Sequence, residues 1–269
     1  MFINNCALFR KPIQRIHSFW PGDNMKYLFL CSIILLTTVA HGQSSLERYK
    51  TLIDLDGDYE IVRSNMSEVE SLDLSPFWTQ NNAEQRLGFI GSKYRRLRIQ
   101  FLSIIKNPDH PAQYLVYGKN KVSNNISEFQ GFFEIKESCY VSTAEFSDST
   151  TGILVGDYTF YEDATTSHAG IFKGKFVTYW YKDKSGNIQY NDLWSGAAGY
   201  NNNQFSGIWT GYKDKRTLVV NWGDSRIPLS GDLDVGTSEF AVNPKYLKNG
   251  WETFEKAQTK AEAQWWRSQ

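Results

Sequence analysis

Cysteine, histidine and methionine are all scarce in this sequence, at three, four and three among 269 residues. Cys6 and Cys31 lie before residue 42, so the rest of the chain holds Cys139 alone. A lone cysteine excludes a disulfide framework, which needs pairs at recurrent spacings. It is expected to be a small buried apolar residue. After residue 42 the histidines are His110 and His168, and neither has a cysteine or carboxylate at zinc-ligand spacing. A serine elbow, a glycine-rich phosphate loop and a dinucleotide fingerprint are all missing. No metal, no cofactor and no catalytic residue is expected.

Long apolar runs are missing too, apart from one near the start. Met25-Lys26 leads into an apolar stretch from Tyr27 to Ala40, closed by Ala40-His41-Gly42. A basic start, a short apolar core and a small-x-small end are the marks of a secretory signal peptide. The run is shorter than the roughly 20 residues a membrane helix needs. Cys31 sits inside it rather than at its end, which does not fit a lipid anchor. Residues 1–24 are expected to be an over-called start or leader, residues 25–42 the signal peptide, and residues 43–269 one mature domain. The expected location is outside the cytoplasm: periplasmic, cell-surface or extracellular.

A surplus of positive charge is also lacking. The whole chain has 29 basic and 29 acidic residues. Removing residues 1–42 takes away four basic residues and one acidic one, leaving 25 against 28 and a net charge of −3. Nucleic-acid binding is dominated by phosphate neutralisation, so that class of partner is set aside.

What the chain does have is period-two alternation. In Arg96–Lys106, Leu97, Ile99 and Phe101 alternate with Arg96, Arg98 and Gln100. Similar windows suggest strands at Tyr59–Arg63, Gln113–Val122, Phe129–Lys136, Gly152–Tyr161, Gly170–Tyr181, Asn187–Leu193, Gln204–Tyr212 and Arg216–Trp222. Turn chemistry separates them at Asn107-Pro108, Asn124-Asn125, 184–187 and Asn201-Asn202-Asn203. The pattern predicts a mainly β fold: an antiparallel barrel or two-sheet sandwich of about eight to ten strands. A C-terminal α-helix is expected to pack on it. Asn249 and Glu252 have capping-box spacing, and Trp251, Phe254, Ala257, Ala261 and Trp265 form one apolar stripe.

A weak signature recurs: Gly57-Asp58-Tyr59, Gly131-Phe132-Phe133, Gly156-Asp157-Tyr158, Gly174-Lys175-Phe176 and Gly207-Ile208-Trp209. Each puts an aromatic on the same strand face as a glycine, which leaves room for a neighbouring ring or a sharp bend. The pattern resembles that of lipocalin-like and avidin-like barrels. The segments "GFIGSKYRRLRIQFLSIIKNP", "VYGKNKVSNNISEFQGFF", "NNNQFSGIWTGYK", "NWGDSRIPLSGDLDVG" and "KYLKNGWE" are similar to those of a group of exported proteins from Bacteroidetes bacteria. That resemblance implies export and a bacterial source, and it transfers no catalytic residue.

Two regions offer candidate ligand contacts. Asn221–Gly236 holds Asp224, Arg226, Asp232 and Asp234 among turn-forming residues. Counted from Asp232, an oxygen-ligand calcium loop would need glycine at the sixth position and glutamate at the twelfth, where Thr237 and Asn243 stand. The stretch is expected to be a structural loop in which Arg226 pairs with Asp224, Asp232 or Asp234, while Gly223, Gly231 and Gly236 supply conformational freedom. The second region is aromatic: Trp180, Trp194, Trp209 and Trp222 suit a sugar platform or, equally, a barrel interior. The expected function is a non-enzymatic exported or envelope-associated domain binding a small molecule, glycan or protein partner. The alternative is a carbohydrate-active hydrolase drawing on Asp224, Asp232, Asp234 and Glu239.

Overall fold

Alternation is what the strands are made of. In β3 (Arg95–Lys106), Leu97, Ile99 and Phe101 are buried, while Arg96, Arg98 and Gln100 stay partly exposed. The computed structural model describes residues 46–53, 60–79, 86–142, 150–193, 195–254 and 264–267. Besides β3 these residues form β1 (Glu60–Ser64), β2 (Arg86–Ile90), β4 (Gln113–Val122), β5 (Asn125–Ser142) and β6 (Thr151–Glu162). Then come β7 (Gly170–Lys182), β8 (Ile188–Tyr190), β9 (Asn202–Gly211) and β10 (Thr217–Asp224). Two short helices, α1 (Met66–Ser71) and α2 (Pro76–Thr79), separate β1 from β2.

Of the two expected architectures, the barrel is the one formed. Pairing runs β5-β4-β3-β2-β10-β9-β7-β6, and β6 returns to β5, so eight antiparallel strands close a ring. The other two strands lengthen one end of the wall. β1 pairs with the far part of β5, Ser64 opposite Cys139, and β8 lies beside the end of β7, Tyr190 opposite Trp180. Cys139 is fully buried, as a small apolar residue should be.

Aromatic rings fill the barrel. Phe205 stacks on Trp222 at 4.9 Å and on Phe176 at 5.5 Å. Phe133 lies against Phe101, Phe160 and Phe176 at 5.3–5.4 Å. The glycine signature explains how they fit. A Cβ on Gly156 would stand 2.5 Å from the Phe176 ring, and one on Gly170 would stand 2.6 Å from the Trp209 indole. Glycine thus makes the hole that the ring on the next strand fills. Gly57-Asp58-Tyr59 lies outside the described residues. The filling has a cost: the Tyr158 hydroxyl and the Trp180 and Trp222 indole N–H groups are buried without a partner among the described residues. Such groups cost about 1–3 kcal/mol each, which the packing of large rings must offset.

The two barrel ends differ. At one, short turns join β2 to β3, β4 to β5 and β9 to β10, and a longer loop, 163–169, joins β6 to β7. At the other, α2 pushes Trp78 into the opening, 5.3 Å from Tyr114 and 5.0 Å from Phe133. Lys106 Nζ donates to the carbonyls of Glu70 and Leu72, satisfying the open end of α1.

Chain segments also wrap the outside. Tyr49, Leu52 and Ile53 cover Val141, Ile153, Val155 and Val177. Ile227, Leu233, Phe240 and Trp251 cover Leu87 and Phe89 of β2. Here the helix start expected at Asn249 is corrected. Asn249 ends a 3-10 helix, Pro244–Asn249, which Gly250 closes at φ 93°, and its side chain donates to the Lys93 carbonyl. The capping residue is Asn243, which accepts from the Lys245 amide beside Pro244. Residues 255–263, with Ala257 and Ala261, lie outside the described residues.

Candidate functional site

Asp224, the last residue of β10, is drawn into the plugged end of the barrel. Its carboxylate accepts from Arg86 Nε at 3.1 Å, the Tyr190 hydroxyl at 3.0 Å and Asn203 Nδ2 at 2.7 Å. Arg86 also donates to the Trp78 carbonyl and lies over the Phe101 ring. Asn203 Oδ1 accepts from the Thr178 hydroxyl, which accepts from Trp78 Nε1. The side chains of Arg86 and Asp224 are each 2% exposed. Burial, and after it the Asp224 carboxylate, drive the Tyr190 hydroxyl far above its ordinary pKa. Both Asp224 oxygens are occupied, so this cluster fastens the plug.

The tryptophans are wall and filling. Trp180 meets Tyr140 edge-on at 4.9 Å, and Trp222 stacks on Phe205; both are fully buried. Trp209 stands at the hairpin end, where Nε1 donates to Glu162 Oε2 at 2.7 Å. The buried Glu162 also accepts from Asn120 Nδ2 and the Gly170 amide. Trp194 lies outside the described residues.

The stretch from Asn221 to Gly236 is fastened as a loop. Arg226 Nη1 donates to Asp234 Oδ2 at 2.7 Å and to the Gly236 carbonyl, and Nη2 donates to the Ser238 carbonyl. Asp234 Oδ1 accepts from the amides of Gly236 and Ala241. Of the three partners expected for Arg226, Asp234 is therefore the real one. Asp232 turns outward to Lys245 and to the Tyr246 hydroxyl, at 2.8 Å from the latter. Hydrogen bonds from Lys245 and then Tyr246 hold the Asp232 carboxyl below its ordinary range.

The expectation about the loop glycines needs correction. Of Gly223, Gly231 and Gly236, only Gly231 takes a positive φ, 54°. Ser225 and Leu229 carry the other left-handed turns, at 64° and 53°. That conformation costs a non-glycine residue about 1–2 kcal/mol. Leu229 bears it while 57% exposed.

Leu229 stands on the rim of a groove outside the barrel, with a volume of about 520 Å³. Thr51–Ile53 form one wall, and Arg226–Ser230 with Asp234 and Gly236 form the other. Asn201 and Gln204 reach it from the start of β9. Among the eight residues singled out from the sequence, Arg226 and Asp234 are brought together here. Trp180, Trp222 and Asp224 are sealed in the barrel, Trp209 is at its far end, and Asp232 faces elsewhere. Asn201 was missed because Asn201-Asn202-Asn203 reads as a turn, and Gln204 because it reads only as the first residue of a strand. In fact Asn202 and Asn203 are buried in β9, where Asn202 binds both backbone groups of Tyr179.

Among the described residues, no group of three or more His, Cys, Asp or Glu side chains is placed to hold a metal ion. No family model, no curated protein and no solved structure matches this chain.

Proposed function

We propose that this chain is an exported, non-enzymatic β-barrel module that binds a small molecule, glycan or envelope partner in the groove outside its barrel. The carrying observation is where space exists. The interior is occupied by rings, whereas the groove between the two wrapped segments has about 520 Å³, within the usual range of small-molecule sites, roughly 300–1,000 Å³. The left-handed Leu229 on its rim adds support, since residues held in costly backbone conformations gather at ligand sites.

Export rests on the leader from Met25 to Gly42. No helix among the described residues is long and apolar enough to cross a membrane. The barrel is apolar inside, and outside it carries ion pairs such as Lys119–Glu128 and Arg48–Asp157. That is the reverse of a lipid-embedded barrel, which is apolar outside and polar within.

Against the hydrolase reading stands the commitment of three of its four acids, which leaves the exposed Glu239 without a second carboxyl group from that set to work with. Glycoside hydrolysis needs two carboxyl groups about 5–9.5 Å apart across a cleft. Asp224 is sealed against Arg86, Asp234 is tied to Arg226, and Asp232 is tied to Lys245.

The test is a thermal-shift screen of soluble oligosaccharides and small metabolites on the chain from Gln43 and on Thr237→Arg, which crowds the groove. A compound that raises the melting temperature of the first and not the second supports the reading, because a ligand of the folded state stabilises it by mass action. Equal shifts in both proteins, or consumption of the compound, would refute it.

A further inference from the structure

Within residues 43–269 a net charge of −3 conceals a separation of charge along the barrel. Three hairpin regions, residues 91–95, 121–125 and 212–216, hold Lys93, Arg95, Lys121, Lys213, Lys215 and Arg216 against the single acid Asp214. The fourth connection at this end, 163–169, holds Asp163 and no lysine or arginine, and the remainder of residues 43–269 then holds 19 basic and 26 acidic residues. The three hairpins join β2–β3, β4–β5 and β9–β10, and these strands run β5-β4-β3-β2-β10-β9 around the ring. The six cations therefore form one continuous arc on the hairpin rim. All but the half-buried Lys121 are exposed, and none forms an ion pair with an acid among the described residues. Asp214 is occupied by the Arg216 amide.

We infer that this end of the barrel docks end-on against an anionic lipid surface. The site is separate from the groove and stands whether or not the groove binds a ligand. A single small anion needs donors converging on one point, and these cations are spread over three hairpins, as an extended negative surface requires. Lipid is favoured over a soluble polyanion by the apolar shoulder behind the arc. Val219 and Ile208 face each other across β10 and β9 with about half of each exposed, and Tyr161 on β6 is similarly exposed. Apolar side chains beside cations are what a headgroup–acyl boundary accepts. Mutual repulsion within the arc is relieved when anions approach, and the acidic remainder of the molecule orients the barrel axis towards the surface.

Co-sedimentation of the chain from Gln43, which contains every described residue, tests this with phosphatidylcholine vesicles made with and without phosphatidylglycerol. Binding should require phosphatidylglycerol and fall with added salt. Replacing Lys93→Gln, Lys213→Gln and Arg216→Gln together should weaken it roughly a hundredfold, from ~1 kcal/mol per basic side chain near such a surface. The melting temperature should not change, since all three side chains are exposed on hairpins. Lys50→Gln, Lys136→Gln and Lys184→Gln, away from this rim, should leave binding as it was. Equal binding to neutral vesicles would overturn the inference, as would equal loss in the second triple variant. Capture by dextran sulfate without capture by vesicles would overturn it in favour of a soluble polyanion.

Discussion

Asp224 and Arg226 stand two residues apart in the chain and end in opposite media. Asp224 turns into the barrel and meets Arg86, each side chain 2% exposed, with both carboxylate oxygens bonded. Arg226 turns outward and meets Asp234, the two side chains 20% and 7% exposed, and its Nε has no partner among the described residues. The inner pair is complete because an incomplete one would leave a charge stranded in a low-dielectric interior. The outer pair is left incomplete even though that Nε is itself buried, an omission that costs about 1–3 kcal/mol. The same two residue types therefore lock the plug in one place and fasten a groove wall in the other.

Four experiments would break or sharpen that contrast. The largest effect belongs to Arg86→Ala, which strands the Asp224 carboxylate. Urea unfolding should show a loss of about 3–5 kcal/mol, and a loss under ~1 kcal/mol would erase the distinction between the pairs. Arg226→Ala should cost less, roughly 1–2 kcal/mol, because Asp234 keeps two backbone donors and some access to water. A cost equal to that of Arg86→Ala would make the outer loop as rigid as the plug.

Leu229→Gly should change stability in the opposite direction. Relief of a left-handed leucine, offset by the added chain entropy of glycine, predicts a gain of up to about 1 kcal/mol. A clear loss would show that the exposed leucine packs in solution. The smallest effect is set by pH. The depressed Asp232 carboxyl contributes stability that is complete above its unfolded pKa and is lost as pH falls through the lower folded value. Amide signals of Lys245 and Tyr246 should therefore move only below the ordinary carboxylate range. Movement within that range would mean the tie to Asp232 is not formed.

The strands that were legible in the sequence have one face wetter than the other. β4 begins and ends where alternation places it, at Gln113 and Val122. β2 was invisible because all five of its residues are buried, the inner face by the barrel and the outer by Leu233, Phe240 and Trp251. Without β2, barrel and sandwich could not be told apart, since it joins β3 to β10. The glycine–aromatic spacing showed which face held rings, but not that a ring from a neighbouring strand would fill the space at Gly156 and Gly170. The groove was half legible: charge pairing pointed to Arg226 and Asp234, whereas the opposing wall comes from Thr51–Ile53, far away in the chain. The cationic arc was hidden because a sum of charges has no direction.

The position of β2 also sets an order of events. The ring closes when residues 86–90 pair with 220–224, a contact between distant parts of the chain whose loop-closure entropy must be met before it is rewarded. Until β10 exists, β2 and β9 each present a row of free backbone donors and acceptors, a template for pairing with another chain. A chain emerging amino-terminus first therefore passes through a nearly complete but open sheet. Its protection against self-association arrives last, when β10 fills the gap and the segment from Ile227 to Trp251 folds over β2.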